Sequence, residues 1–240
     1  MIEFQSVSFS YEKRRPILTD ISFRIEDSES VGLVGANGAG KTTLMRLLLG
    51  LLSGEGRISV EGLPVETQNL AEIRRRVGLV LQDPDDQMFM PTVYEDMIFG
   101  PLNYGLTRQD AEARADAALK RLGLTELKHR HNHRISGGEK RMAAIATILT
   151  MEPEVILMDE PTAALDPRNR RLVIETIREL PQTMIIASHD LDMILDTCRR
   201  VILLYEGRIA ADGPTDIILR DKTLLESHRL ELPLSLSRRP

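Results

Sequence analysis

The chain has 240 residues and a formal net charge of −5. That length can bury a full core, as one large domain or as one domain carrying an inserted subdomain, and the acidic balance argues against a general nucleic-acid binder. The single cysteine, Cys198, excludes an internal disulfide and reads as a small apolar helix residue rather than a reactive thiol. The opening residues MIEFQSVSFSY lack the basic flank and apolar run of a secretory signal. The leucine-rich stretch 44–52 contains Arg46 and is too short to span a bilayer. The expectation is a soluble, intracellular chain that relies on a partner for any membrane-spanning part.

Ile2, Phe4, Val7 and Phe9, then Ile17, Leu18, Ile21, Phe23 and Ile25, predict two strands around the polar turn 12–15. Tyr11 falls in that turn. An aromatic there either stacks on a nucleobase or is simply a turn tyrosine, and the residues alone leave both open.

Residues 30–34 read as a buried strand that runs into GANGAGKTT, the residues Gly35, Ala36, Asn37, Gly38, Ala39, Gly40, Lys41, Thr42 and Thr43. This fits G-x-x-x-x-G-K-S/T. Leu44, Leu47, Leu48 and Leu51 recur at helical spacing, which predicts a helix opening near Gly40. A strand, a glycine-rich turn and a helix N-terminus form a phosphate cradle, because free backbone N–H groups and the positive end of the helix face the anion. Lys41 is expected to reach the outer phosphates and the Thr42 hydroxyl to ligate Mg²⁺. Strand, loop and helix together point to nucleotide binding.

Residues 56–60 and 64–65 bracket the Glu61-Gly62 turn, a hairpin signal, and residues 70–76 form a short basic helix candidate. Residues 77–81 are an apolar strand ending in the polar run 82–87. A proline-containing polar run after a buried strand predicts a loop at the C-terminal edge of a parallel sheet, where ligands bind in α/β folds.

Residues 92–105 and 108–122 predict helices, the second with an apolar stripe of Ala111, Ala115, Ala118, Leu119 and Leu122. With no strand signal from Gln87 to Glu154, residues 87–153 read as a helical subdomain inserted into an α/β core. The run KHRHNHR, residues 128–134, lacks the carboxylate or cysteine company of a built metal site and reads as a solvated basic segment. Ser136 and Glu139 form a capping box, so a helix starts there, with Met142, Ile145, Ala146 and Leu149 on one face. Gly137 and Gly138 beside the cap free N–H groups for a second anion contact.

Residues 155–159 are a buried strand that ends in Asp159 and Glu160, expected beside the phosphate-loop strand. Charges at such a strand end are costly unless used. Asp159 suits a water-mediated Mg²⁺ contact, and Glu160 suits polarising an attacking water. Residues 184–187 form another strand, followed by Ser188-His189-Asp190; a lone histidine is usually structural, and at this strand end the residues leave open a second role for His189, contact with a γ-phosphate. Residues 201–205 and 208–211 predict a closing hairpin, and the tail 223–240 carries no chemical signal.

The order of these motifs resembles the ATP-binding-cassette (ABC) ATPases over residues 1 to about 220. The phosphate loop is residues 35–43, the Q-loop Gln82, the signature Ser136-Gly137-Gly138-Glu139, and Walker B residues 155–159 with Glu160. The D-loop is Ala164-Leu165-Asp166 and the switch histidine His189. The resemblance implies a P-loop NTPase (RecA-like) α/β core with an antiparallel β subdomain and the inserted helical subdomain. It implies a head-to-tail dimer, homodimeric or of paralogous ATPases, with two ATPs held between the phosphate loop of one subunit and the signature of the other. Ser136, Gly137 and Gly138 are then ATP contacts, Tyr11 the adenine-stacking aromatic, and Gln82 a catalytic and Mg²⁺-contacting residue beside Glu160, His189, Thr42 and Asp159.

A narrower resemblance lies in Leu81-Gln82-Asp83-Pro84-Asp85-Asp86-Gln87-Met88-Phe89, Thr92-Val93-Tyr94-Glu95-Asp96 and Phe99-Gly100-Pro101. It is similar to the ATPases of energy-coupling-factor (ECF) importers, especially the cobalt/nickel group, as is the short tail with HRLELPL. It implies a transport-coupled ATPase at the cytoplasmic face of the cell membrane, with a transmembrane coupling protein and a substrate-binding membrane subunit as partners. A groove formed largely by residues 82–99 then receives a coupling helix. The alternatives are a vitamin-type ECF ATPase and a non-transport ABC protein. The latter usually carries two cassettes or long coiled-coil insertions, whereas this chain has one phosphate loop and no heptad arm. The signature opens with Ile135 and ends on Glu139 where the wider family has leucine and glutamine. His131-Asn132-His133-Arg134 stands where these ATPases often have Pro-His-His-Leu.

Overall fold

The computed structural model describes residues 1–12 and 15–237. Lys13 and Arg14, in the expected polar turn, and residues 238–240 of the tail lie outside the described residues. In chain order the elements are β1 (Ile2–Glu12), β2 (Arg15–Ile25), β3 (Ser30–Val34), α1 (Lys41–Leu48), β4 (Glu55–Val60), β5 (Leu63–Pro64), α2 (Leu70–Arg76), β6 (Val77–Val80), α3 (Pro84–Gln87) and α4 (Val93–Asn103). There follow α5 (Arg108–Arg121), α6 (Gly137–Leu149), β7 (Val155–Asp159), α7 (Pro167–Arg178), β8 (Thr183–Ala187), α8 (Leu191–Thr197), β9 (Arg200–Tyr205), β10 (Arg208–Pro214), α9 (Thr215–Ile218) and α10 (Lys222–Ser227). They group into two compact units, residues 1–74 with 181–240, and residues 75–180.

The first unit holds an antiparallel sheet in the order β2-β1-β4-β5. Its register pairs Ile2 with Ile25 and Phe4 with Phe23 on one edge of β1, and Ile2 with Val60 on the other. Alternating side chains put Ile2, Phe4, Ile21, Phe23 and Ile25 into the core, and the Phe4 and Phe23 rings stack with centroids 4.5 Å apart. The same unit contains β3, which pairs in parallel with β8 and β9, while β10 runs antiparallel to β9. Val31, Leu33 and Val34, like the whole of β8, are buried, the continuous apolar run of a strand covered on both faces.

Both edges of β3 are thus taken, which corrects the expectation that residues 155–159 lie beside it. Instead β7 pairs in parallel with β6, from Val77↔Val155 to Val80↔Met158. The two strands belong to the second unit, together with α4, α5 and α6, which pack on one another. Met97, Ala111, Ala115, Leu119, Met142, Ile145 and Ala146 are almost wholly buried there; each fully buried large side chain contributes roughly 1.5–3 kcal/mol. Local caps start these helices. Thr92 with Glu95 and Ser136 with Glu139 are complete capping boxes, and Thr107 and Asp166 accept from the first-turn N–H groups of α5 and α7.

Two further expectations change. The polar run 82–87 is not loop throughout: Pro84 opens the one-turn helix α3, and Asp83 caps it by accepting from Asp85 N at 2.9 Å. The basic run 128–134 is not simply solvated. His131 bridges to Thr92, and Asn132 is buried and donates to Met90 O at 2.7 Å and Asp96 Oδ2 at 2.5 Å. Cys198 is buried, as expected, but follows α8 instead of lying within it. Among the described residues no helix is long and apolar enough to cross a membrane.

Candidate active site

In the first unit the phosphate loop leaves the end of β3 and closes at Gly40, which caps α1 with φ 106°. Only glycine adopts that conformation readily, and a β-carbon there would stand 2.6 Å from Leu18 Cδ2. Lys41 is buried at the start of α1. Its ammonium donates to the carbonyls of Gly35 at 2.7 Å and Ala36 at 3.3 Å, so the loop curls around the cation. Asn37 and Gly38 are exposed at the crest, Ala36 and Thr42 are half-buried, and Ala39 and Thr43 are buried.

Tyr11 belongs to the last residues of β1, not to the turn, because β1 runs on to Glu12. Its hydroxyl lies 3.4 Å from Thr43 Oγ1, and its ring packs edge-on against Phe9 at 4.8 Å while 55% of the residue stays exposed. An open aromatic face is therefore held at the end of the phosphate loop. The β3 and β8 strands are in parallel register from Ser30↔Met184 to Leu33↔Ala187, so the phosphate loop and His189 leave the sheet at one edge. Ser188 is fully buried and His189 exposed; Asp190 caps α8 by accepting from Met193 N at 3.0 Å.

The second unit repeats this arrangement. Parallel β6 and β7 end together, so Gln82 and the Asp159-Glu160 pair emerge at one edge. Asp159 and Glu160 are each 7% exposed. Glu160 has φ 48°, a left-handed conformation that costs a non-glycine residue about 1–3 kcal/mol and persists where surrounding structure enforces it.

The signature residues open α6. Ser136 Oγ accepts from Glu139 N at 3.3 Å, and Glu139 accepts from Ser136 N at 2.7 Å, which holds the Glu139 carboxyl below its ordinary pKa. Ser136 and Gly137 are exposed, whereas Gly138 is buried against Asn169 of α7. Asp166 caps α7, accepting from Arg168 N at 2.9 Å, Asn169 N at 3.0 Å and Asn169 Nδ2 at 2.5 Å. The backbone and side-chain donors of Asn169 depress its pKa first, then the Arg168 N–H.

Residues 18–163 match the family model described as ABC transporter. The chain belongs to the ABC transporter family. It is 47% identical over 239 residues to a Streptomyces avermitilis protein named "Putative ABC transporter ATP-binding protein", covering 99% of this chain and 91% of that one. It is 41% identical over 239 residues to the energy-coupling factor transporter ATP-binding protein EcfA of Methanothermobacter thermautotrophicus, covering 97% and 77%. The solved structure of cbiO1 from Clostridium perfringens, part of the ABC transporter complex cbiONQ, superposes with a TM-score of 0.83 at 35% identity. That match covers 94% of this chain and 93% of the other. The chain is an ATP-hydrolysing ABC cassette with the P-loop NTPase fold.

Within the cassette, Tyr11, residues 35–43 and His189 lie in the first unit, and Gln82, Ser136, Gly137, Gly138, Asp159 and Glu160 in the second. Sequence reasoning missed Asn169, which sits on Gly138, and Arg141, whose guanidinium donates to the Leu81 and Gln82 carbonyls. It also missed the Asp96–Asn132 contact. No local pattern marks these, since each partner lies tens of residues away.

Proposed function

We propose that this cassette is the ATP-driven motor of an ECF-type importer, of the group that carries cobalt or nickel ions. The observation that carries the reading is similarity along nearly the whole of this chain to an ECF ATP-binding protein and to cbiO1 of a cbiONQ complex. The polar run after β6, with Phe89 and Phe99 exposed and edge-on at 5.0 Å, supports a docking surface for a membrane partner. The choice of metal rests on the resemblance of residues 81–101 and the short tail. Residues 87–153 are read as the helical signature subdomain.

The residues suit a magnesium nucleotide. The loop wraps a buried lysine whose donors rest on the loop's own carbonyls, and these donors can turn to phosphate oxygens. The N–H groups at the start of α1 face the same anion. Thr42, Gln82 and Asp159 offer only oxygen ligands, which suits Mg²⁺; when bound, the ion would neutralise charge developing on the phosphates. Glu160 would orient the attacking water and accept its proton, as the γ-phosphoryl group passes to that water and ADP leaves. His189 would contact the γ-phosphate, and the open Tyr11 ring would stack on adenine. Exposed Ser136 and Gly137 are available to the nucleotide of a second cassette, identical or paralogous, so ATP would favour a closed dimer and hydrolysis would release it. The cassette would then act peripherally, on the cytoplasmic face of the cell membrane.

The test is a pull-down. The tagged chain is recovered from membranes in mild detergent and its companions are identified by mass spectrometry. A small polytopic coupling protein with a metal-type substrate subunit is the expected result. A vitamin-type substrate subunit would overturn the metal assignment, and ribosomes without any membrane protein would overturn the importer reading.

A further inference from the structure

The signature helix carries a charged side chain that none of these roles uses. Arg141 is 2% exposed. Its Nη1 donates to Leu81 O at 2.6 Å and its Nη2 to Gln82 O at 2.5 Å, while the buried Nε has no hydrogen-bond partner among the described residues. A buried cation is costly unless its donors are used. Here they serve a specific pair of acceptors, because the β6–β7 ladder ends at Val80 and the next two carbonyls lie beyond the last strand pair.

The same stretch is tied to the same helix a second time, through Gln87. Gln87 accepts from Leu81 N at 3.1 Å and donates to Ala144 O at 2.7 Å and Thr147 Oγ1 at 3.0 Å. Lys140 pairs with Asp85 of α3. Both Arg141 and the acceptors of Gln87 belong to α6, the helix that Ser136 caps. The Gln82 side chain is exposed, so burial does not select its rotamer and its main chain decides where the carboxamide starts.

We propose that Arg141 is a positioning residue for ATP hydrolysis: its planar fork grips the two carbonyls at Leu81 and Gln82 and fixes Gln82 relative to the signature helix. This rests on the reading of Gln82 as a residue of the nucleotide site. Lysine keeps the charge but not the fork, so it cannot hold both carbonyls in one geometry.

The experiment compares wild type, Arg141→Lys, Gln82→Ala and the double variant in the purified cassette. Arg141→Lys should lower kcat about tenfold to a hundredfold, the scale expected for a reacting group displaced by about 1 Å. ATP affinity should stay within about twofold, since Arg141 is buried and its donors are turned to the Leu81 and Gln82 carbonyls. In the nucleotide-free protein, amide exchange at residues 81–83 should quicken about tenfold or more while residues 142–149 keep their protection. In the Gln82→Ala background Arg141→Lys should add little further loss of kcat. Full multiplicative loss in the double variant, or wild-type turnover and exchange in Arg141→Lys, overturns the inference while leaving the role of Gln82 standing. Wild-type turnover in Gln82→Ala overturns that role, and the inference with it.

Discussion

Gly138 lies so close to Asn169 that a β-carbon at 138 would overlap the Asn169 carboxamide. Asn169 cannot easily yield, because Asp166 accepts from both its backbone and its side-chain N–H groups. The signature and the D-loop are therefore linked through Asn169 within one unit, so that a change at either can reach the other. Gly138→Ala should lower stability by about 1–3 kcal/mol, the ordinary cost of overpacking, and should lower ATPase turnover. Adding Asn169→Ala should recover much of the stability. Urea unfolding of the three variants checks this, and an unchanged midpoint for Gly138→Ala would contradict the overlap.

Lys41 is the buried cation of the phosphate loop. Hydrogen bonds to charged groups contribute about 1.5–3 kcal/mol, so Lys41→Ala should weaken ATP binding by about tenfold or more. Calorimetry measures it directly. Unchanged affinity would count against the phosphate cradle.

Tyr11 separates two contributions, its hydroxyl near Thr43 and its exposed ring. Tyr11→Phe keeps the ring and should bind ATP nearly as wild type. Tyr11→Ala should lose about tenfold or more, in line with the stacking of a base on an aromatic side chain. Equal loss in both variants would assign the effect to the hydroxyl and remove the stacking role.

Glu160 directly follows β7, buried and with a strained backbone. Glu160→Gln preserves shape and removes the base, so turnover should nearly vanish while ATP still drives dimer formation. Size-exclusion chromatography with and without ATP, beside a phosphate-release assay, reads both. Wild-type turnover would reject Glu160 as the catalytic carboxylate.

Asp96 supplies a pH dependence. Burial pushes its carboxyl above the ordinary range, although the N–H of Met90, the amide of Asn132 and the N–H of Phe89 all favour the charged form. The folded chain thus holds this proton to higher pH than the unfolded chain. Its contribution to stability is greatest below the unfolded pKa and falls as pH rises through the raised folded value. Asp96→Asn cannot titrate. The stability of wild type minus that of Asp96→Asn should therefore fall from about pH 4 upward; a difference that rises over that interval in urea titrations would contradict the raised pKa.

Much of the candidate site was legible because the features proposed for it use neighbours in sequence. The phosphate loop needs consecutive N–H groups at a helix start, and the capping box at Ser136 and Glu139 needs one helical turn. Strands announced themselves by apolar runs at 30–34, 77–80 and 155–159. Tyr11 was misplaced because Glu12 reads as a turn residue, whereas pairing with β2 carries β1 through it. The run 128–134 looked solvated because six of its seven residues are basic, and only the fold brings Asn132 onto Asp96.

The sequence by itself determined most of the strands, the longer helices, the phosphate loop and the family resemblance, since these depend on periodicity and on spacings within a few residues. Tertiary structure alone decided which strands flank β3, that Gly138 must admit Asn169, and that Arg141 grips carbonyls 60 and 59 residues away. Such pairings follow from how buried backbone and charged groups find partners once the chain is compact, and no local pattern encodes which partner that is.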